Sequence, residues 1–404
     1  MKKCMLGISL LLAGISCTIA QGVEFNGYMR NSVYAYSAPE EIGSDKTELH
    51  TRLYQTLSAN VIFNQLGGWQ LHLAGRALTD LADSELDNVK RFRAYRLSVS
   101  KKNLFNMIDL EIGRQFLHPG VTLGSLDGLN LNIKPLKWFE WQVYGGVETH
   151  LLRAAKVYAV DEAAVFGTQL KFKRMFKSNI SLVYLQKNAQ SETQWQLAGI
   201  NFSNYSIKHL LVLTQAHYDL VNSRLHRLYL SARYQFSPKL LINAYVKQQY
   251  PQIYNTSYFQ IFEVDRYLLS GFNVVYQLTD QYAITGMMQG VQLKEGYGNR
   301  FIAMLSDRHG SFGLVYETGD LGDQMGALFN YRYRIMRELT LNLSIDYTRY
   351  RFEKRYDYEN QLANAVGLSY RFLKHWNIQL EYQWLQNADF KSDQRVLNHI
   401  SFVW

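Results

Sequence analysis

Long stretches of this chain alternate apolar and polar side chains with a period of two. That period fits a β-strand with two unlike faces and does not fit a helix. In 376–384, Trp376, Ile378, Leu380, Tyr382 and Trp384 alternate with Asn377, Gln379, Glu381 and Gln383. In 339–348, Leu339, Leu341, Leu343, Ile345 and Tyr347 alternate with Thr340, Asn342, Ser344, Asp346 and Thr348. Residues 325–335 and 226–236 repeat the pattern, with Leu328 and Tyr229 as intruders on the polar rows. Aromatic rings stand at the ends of the apolar rows, as Trp376 and Trp384 do. A soluble sandwich has no reason to mark both edges of a buried row with rings. A membrane–water interface favours amphipathic rings there.

The connections have a rhythm of their own. Tight turns are expected near Gln65-Leu66-Gly67-Gly68, Lys101-Lys102-Asn103, Lys134-Pro135-Leu136, Met175-Phe176-Lys177-Ser178 and Ser203-Asn204. They continue at Ser237-Pro238-Lys239, Thr279-Asp280-Gln281, Arg308-His309-Gly310, Met336-Arg337-Glu338 and Leu373-Lys374-His375. Longer or more polar links lie between them, at 37–48, 80–88, 117–125, 149–162, 187–191, 219–223, 251–263, 295–299, 319–324, 352–358 and 386–394. Each tight turn falls between two of these links. This pattern predicts an all-β fold: a transmembrane antiparallel up-and-down β-barrel of about 22 strands (range 18–22), with short periplasmic turns.

Composition agrees. Hydrophobic residues make up 47%, yet mean hydropathy is only −0.22, because an apolar row is averaged with a polar one. No apolar run outside the N-terminus reaches the roughly 18 residues of a membrane-spanning helix. Aromatics at 14% and only 5 prolines exclude a disordered chain.

Residues 1–20 have the layout of a secretory signal peptide, with Lys2 and Lys3, an apolar stretch, and Thr18-Ile19-Ala20 before the cut. The expected mature unit is one barrel domain, 21–404. Its formal charge is +7, the +9 of the whole chain less the two leader lysines. Both cysteines, Cys4 and Cys17, belong to the leader, so the mature chain would hold no disulfide and no thiolate metal site. Gly14-Ile15-Ser16-Cys17 leaves lipidation of Cys17 open. At the other end, Ile400, Phe402 and Trp404 alternate with Ser401 and Val403. This resembles the C-terminal strand by which bacterial outer-membrane barrels are recognised by the barrel-assembly machinery.

Gly113-Arg114-Gln115-Phe116, then Pro119-Gly120, then Leu126-Asp127-Gly128-Leu129 form a strand–loop–strand unit. It resembles a Gly-Arg-Gln … Asp-Gly hairpin found across porin-like outer-membrane barrels. The resemblance covers about 20 residues. It implies a substrate-diffusion channel, with Arg114 and Asp127 meeting across the hairpin as a salt bridge.

The polar rows assign Lys134, Lys171, Lys173, Arg227, Arg233, Lys247, Arg332, Arg334 and Arg371 to the lumen, with the acids Asp109, Glu111, Glu140, Asp346 and Glu381. An excess of basic groups favours anions in a pore. Pairing of facing charges into bracing ladders is the competing expectation. The leading functional expectation is a porin-like channel in the bacterial outer membrane, passing small polar or anionic solutes. A barrel of about 22 strands is roughly 45 Å across. Width without a plug domain motivates the alternative of a scaffold or conduit for a partner protein in the lumen. A third reading, a barrel hydrolase, would use His118, His150 or His217 near the rims.

No cofactor, metal or nucleic-acid partner is expected. Acidic groups at Asp80, Asp83, Glu85 and Asp87, and at Glu317, Asp320 and Asp323, lack the spacing of a calcium loop. The 10 histidines are scattered, without a metal-ligand pair. Outer loops should face lipopolysaccharide, and the turn residues Lys101, Lys102 and Lys177 the inner-leaflet lipids. Oligomeric state is not legible.

Overall fold

A computed structural model describes residues 22–39, 47–81, 92–121, 124–150, 156–251, 265–294, 296–320, 322–353, 355–388 and 392–404. The expected leader, Cys17 and the loop acids Asp83, Glu85 and Asp87 lie outside the described residues. The strands are β1 (Val23–Pro39), β2 (Thr47–Phe63), β3 (Trp69–Asp80), β4 (Phe92–Leu104), β5 (Ile108–Leu117), β6 (Gly124–Leu136), β7 (Phe139–Glu148), β8 (Ala164–Met175), β9 (Ser178–Ala189), β10 (Glu192–Asn204) and β11 (Leu210–Asp219). They continue as β12 (Arg224–Ser237), β13 (Leu240–Gln249), β14 (Tyr267–Gln277), β15 (Ala283–Gln292), β16 (Tyr297–Ser306), β17 (Gly310–Gly319), β18 (Asp323–Arg334), β19 (Leu339–Arg351), β20 (Glu359–Phe372), β21 (Trp376–Gln386) and β22 (Asp393–Val403).

These form one 22-stranded sheet in which each strand pairs antiparallel with its chain neighbours. β1 pairs β2 on one side and β22 on the other, with Tyr28 opposite Val403 and Tyr36 opposite Arg395. The sheet therefore closes and leaves no edge. In a membrane closure is required, since an unpaired backbone amide has no water to bond. The strand count stands at the top of the expected range, so the width problem is not resolved by fewer strands.

Every expected tight turn exists, but three sit further along the chain than expected. β4 runs through Lys101-Lys102-Asn103 and turns at Phe105-Asn106-Met107. β6 runs through Lys134-Pro135-Leu136 and turns at Lys137-Trp138. The turn expected at Ser203-Asn204 begins at Tyr205. In each case polar or Pro residues inside the strand resembled a turn, while the turn itself carries an apolar ring. At Phe176-Lys177 both residues have left-handed φ, 49° and 56°, as a two-residue hairpin turn requires.

All ten tight turns lie at the end of the barrel that also carries Trp404. At that end the apolar rows finish in a girdle of packed rings. Trp404 stacks on Phe25 at 5.2 Å, Phe402 packs on Trp376 at 4.8 Å, and Phe139 packs on Phe172 at 5.3 Å. Ile400, Phe402 and Trp404 thus finish the seam strand. Main-chain bonds in both directions between Trp404 and Gly27 hold its end.

Candidate functional site

Cross-strand register puts the sequence-assigned polar residues on one face of the sheet, opposite the apolar rows. That face is the inner one, because the connection after β5 folds back against it. The wall it forms is not uniform.

From β4 to β8 the acids are paired, and Lys102, expected to face the inner-leaflet lipids, also lines this wall. Lys134 bonds Asp109, and Arg96 meets Glu111 at 2.7 Å. Lys173 and Lys171 both reach Glu140, the latter at 3.4 Å. Beside them Asn60, His72 and Ser100 form a chain across β2, β3 and β4. His72 Nδ1 lies 2.6 Å from Asn60 Oδ1, and its Nε2 lies 2.8 Å from Ser100 Oγ. Sequence reasoning missed this network, since its members are far apart in the chain and only register joins them.

From β18 to β20 the wall is different. Arg332 donates to Asn342 at 3.1 Å, and neither it nor Arg334 nor Arg371 meets a carboxylate among the described residues. Together with Arg308, His309 and Lys374 they line a cavity of about 830 Å³ at the turn end of the inner wall, and no carboxylate among the described residues lines it. Further round, Lys247 donates to Tyr267 at 2.7 Å, and the Nε of Arg227 is buried without a partner among the described residues. Arg233 faces Asn243 across the β12–β13 ladder. Asp346 accepts from Thr348 and Glu381 from Gln383, so these acids are held by neutral neighbours. The expected ladders of facing charges thus form on one wall and not on the other.

Gly120 and Val121, in the connection after β5, lie inward against the inner wall. Asn201 donates to the Gly120 carbonyl at 2.9 Å, and His217 in turn holds Asn201 at 2.8 Å. Val121 and Leu117 bury themselves on the inner face among Leu126, Tyr144, Val165, Val183, Leu185 and Leu197. Apolar residues on an inner wall are otherwise exposed to lumen water, so this cluster drives the connection inward. The Gly-Arg-Gln … Asp-Gly hairpin supports its base. Arg114 grips Asp127 through two bonds of 2.7 Å, with the two side chains 6% and 9% exposed. Gly128 allows the hairpin to pack, since a Cβ there would lie 2.2 Å from the Gly145 carbonyl oxygen. On the sequence, even the longest links, such as 149–162 and 251–263, are expected to be too short to fill the barrel. Instead a short one lies inward.

Other candidates resolve plainly. Asp80 is held by Arg52, Glu317 by Arg300, and Asp323 by Arg351, so these acids are spent on cation pairs. Asp320 accepts from the Tyr297 amide. No group of metal-ligating side chains occurs among the described residues. His217 is buried on Asn201, and His150 stacks on Tyr158 at 4.9 Å. The Asn60–His72–Ser100 chain has the order of an orienter, a base and a hydroxyl. Ser100 lies on a strand paired on both sides. There the backbone amides serve the ladder and cannot cradle an oxyanion.

The fold is that of a porin-like barrel, closed and antiparallel, apolar outside and polar within. No family model and no curated protein matches the chain. Solved structures of similar shape include a BenF-like porin from Pseudomonas fluorescens Pf-5, with 10% identity over 96% of this chain and 100% of that one at a TM-score of 0.49. OpdQ of Pseudomonas aeruginosa gives 9% identity over 95% and 97% at 0.46. OccAB2 of Acinetobacter baumannii gives 13% over 94% and 98% at 0.46. Likeness at this level carries no functional inference.

Proposed function

We propose that this protein is a passive channel of a bacterial outer membrane that favours small anionic solutes. One observation carries the reading: among the described residues, Arg332, Arg334 and Arg371 stand on the inner wall without carboxylate partners, while Asp109, Glu111 and Glu140 opposite are neutralised by Lys134, Arg96, Lys171 and Lys173. Unpaired cations lining a water-filled path lower the barrier for anions and raise it for cations. The inward connection at Gly120 sets the width of that path. Lys134, Lys171, Arg227, Arg233, Lys247, Asp109, Glu111, Glu140, Asp346 and Glu381 line it as supporting wall.

The test is a reversal potential across a planar bilayer under a potassium chloride gradient. The wild-type barrel should show the sign of anion preference at low salt. Replacing Arg332, Arg334 and Arg371 together by Gln should move it toward zero. Cation preference in the wild-type protein would overturn the proposal.

A further inference from the structure

The turn end of the barrel carries a pairing that a channel alone does not require. Lys137 stands beside Trp138, Phe176 beside Lys177, and Leu373 beside Lys374, each pair on the tip of a different tight turn. The apolar members project from the protein: Phe176 is 90% exposed, Leu373 75% and Trp138 48%. Ile207-Lys208 and Met336-Arg337 repeat the arrangement on two further turns. None of these cations meets a carboxylate among the described residues. The opposite end is unlike it. There Asp219, Asp323 and Asp393 are each bound to an arginine, and Asp161, Glu162 and Asp320 add further acids.

A ring of water-exposed aromatic and aliphatic tips is unfavourable in bulk solvent. Beside a cation, each tip has the chemistry of an interfacial anchor. The apolar group enters the boundary of the acyl chains while the base stays with the phosphates. The pairs are also spread around the barrel, from the β6–β7 turn to the β20–β21 turn. A compact protein partner would need them gathered on one side, whereas a planar lipid layer meets them all at once. We infer that the turn-end rim is a docking surface for anionic phospholipid headgroups of the leaflet on that side. This rests on the membrane reading above and adds a lipid class to it.

The experiment uses the full barrel in detergent, offered equal amounts of short-chain phosphatidylglycerol and phosphatidylcholine, with retained lipid read by native mass spectrometry. The wild-type barrel should retain phosphatidylglycerol preferentially. Each cation near an anionic surface is worth about fivefold in affinity. A variant with Lys137→Gln, Lys177→Gln, Lys208→Gln and Arg337→Gln should therefore lose the preference by more than about tenfold. A gel shift between heated and unheated samples shows that the variant is folded. Phe176→Ser with Leu373→Ser should weaken retention of both lipids while leaving the preference in place. An unchanged preference in the four-charge variant would overturn the inference, as would equal competition by soluble glycerophosphate, which would assign the rim to free anions. Bilayer conductance of the same samples tests the channel separately, so failure of one reading is distinguishable from failure of the other.

Discussion

Replacing Gly120 by Val should widen the channel, and the structure gives the size of the effect. Gly120 has φ +82°, where a side chain is strained. An added Cβ would also lie 2.7 Å from Gln169 Nε2, 2.9 Å from Asn201 Nδ2 and 3.2 Å from Val183 Cγ1. The left-handed conformation costs a branched residue about 1–2 kcal/mol. Crowding adds about 1–3 kcal/mol. Against this, the inward position is held by the Asn201 bond, about 1 kcal/mol, and by burial of Val121, about 2 kcal/mol. An anchor of about 3 kcal/mol keeps the connection inward about 99% of the time. A penalty of similar size brings the inward and released positions to rough parity. Single-channel recording should then show two conductance levels, the larger absent from the wild-type protein. Asn201→Ala removes the bond to Gly120, together with the one to His217, and should raise the released fraction to a few per cent, visible as rare brief openings. A folded Gly120→Val barrel with a single wild-type conductance would refute the reasoning, because the connection would then not limit the path.

Other outcomes follow from particular contacts. Asp127→Asn leaves the buried Arg114 without its countercharge and should lower barrel stability by about 3–5 kcal/mol in urea unfolding. Trp404→Ala removes the ring stacked on Phe25 and should slow closure of the seam, read as delayed appearance of the heat-resistant folded band. In the β16–β17 turn, the amides of His309 and Gly310 donate to Asp307 and hold its carboxyl below the ordinary value of 3.8. The lowered folded value means that this contact stabilises the turn above pH 3.8 and is lost as pH falls through the folded value. Exchange of the two amides, corrected for intrinsic rate, should accelerate only in that acid window, and Asp307→Ala should abolish the step.

The barrel was legible because its physics is local. Period-two alternation marks a wall between two solvents, and it survives wherever one looks, from Leu228 to Trp384. Even the intruders kept the register: Tyr229 and Leu328 do lie on the inner face, opposite Lys247 and Asp346. Three of the turn positions failed, for one reason. Phe105, Trp138 and Tyr205 stand where soluble proteins place polar residues, so the strands seemed to end early. The site was legible as a face and not as an arrangement. Nothing in the sequence separates the paired Lys171 from Arg371, because pairing depends on cross-strand register, which sets Lys171 opposite Glu140 and Arg371 opposite Asn377. The inward turn at Gly120 was hidden for the same reason. It is decided by Asn201 and Val183, some 60 to 80 residues away.

The seam between β1 and β22 brings Val23 and Trp404 to the same rim, with Gly27 and Trp404 bonded in both directions. A few linking residues would therefore join Val23 to Trp404 without bending the sheet. New ends could then be opened in any outer connection, such as that between β11 and β12. Such circular permutants would keep every strand pair and change only the order in which pairs are synthesised. They would separate the part of assembly governed by the closed ring from the part governed by which strand arrives last.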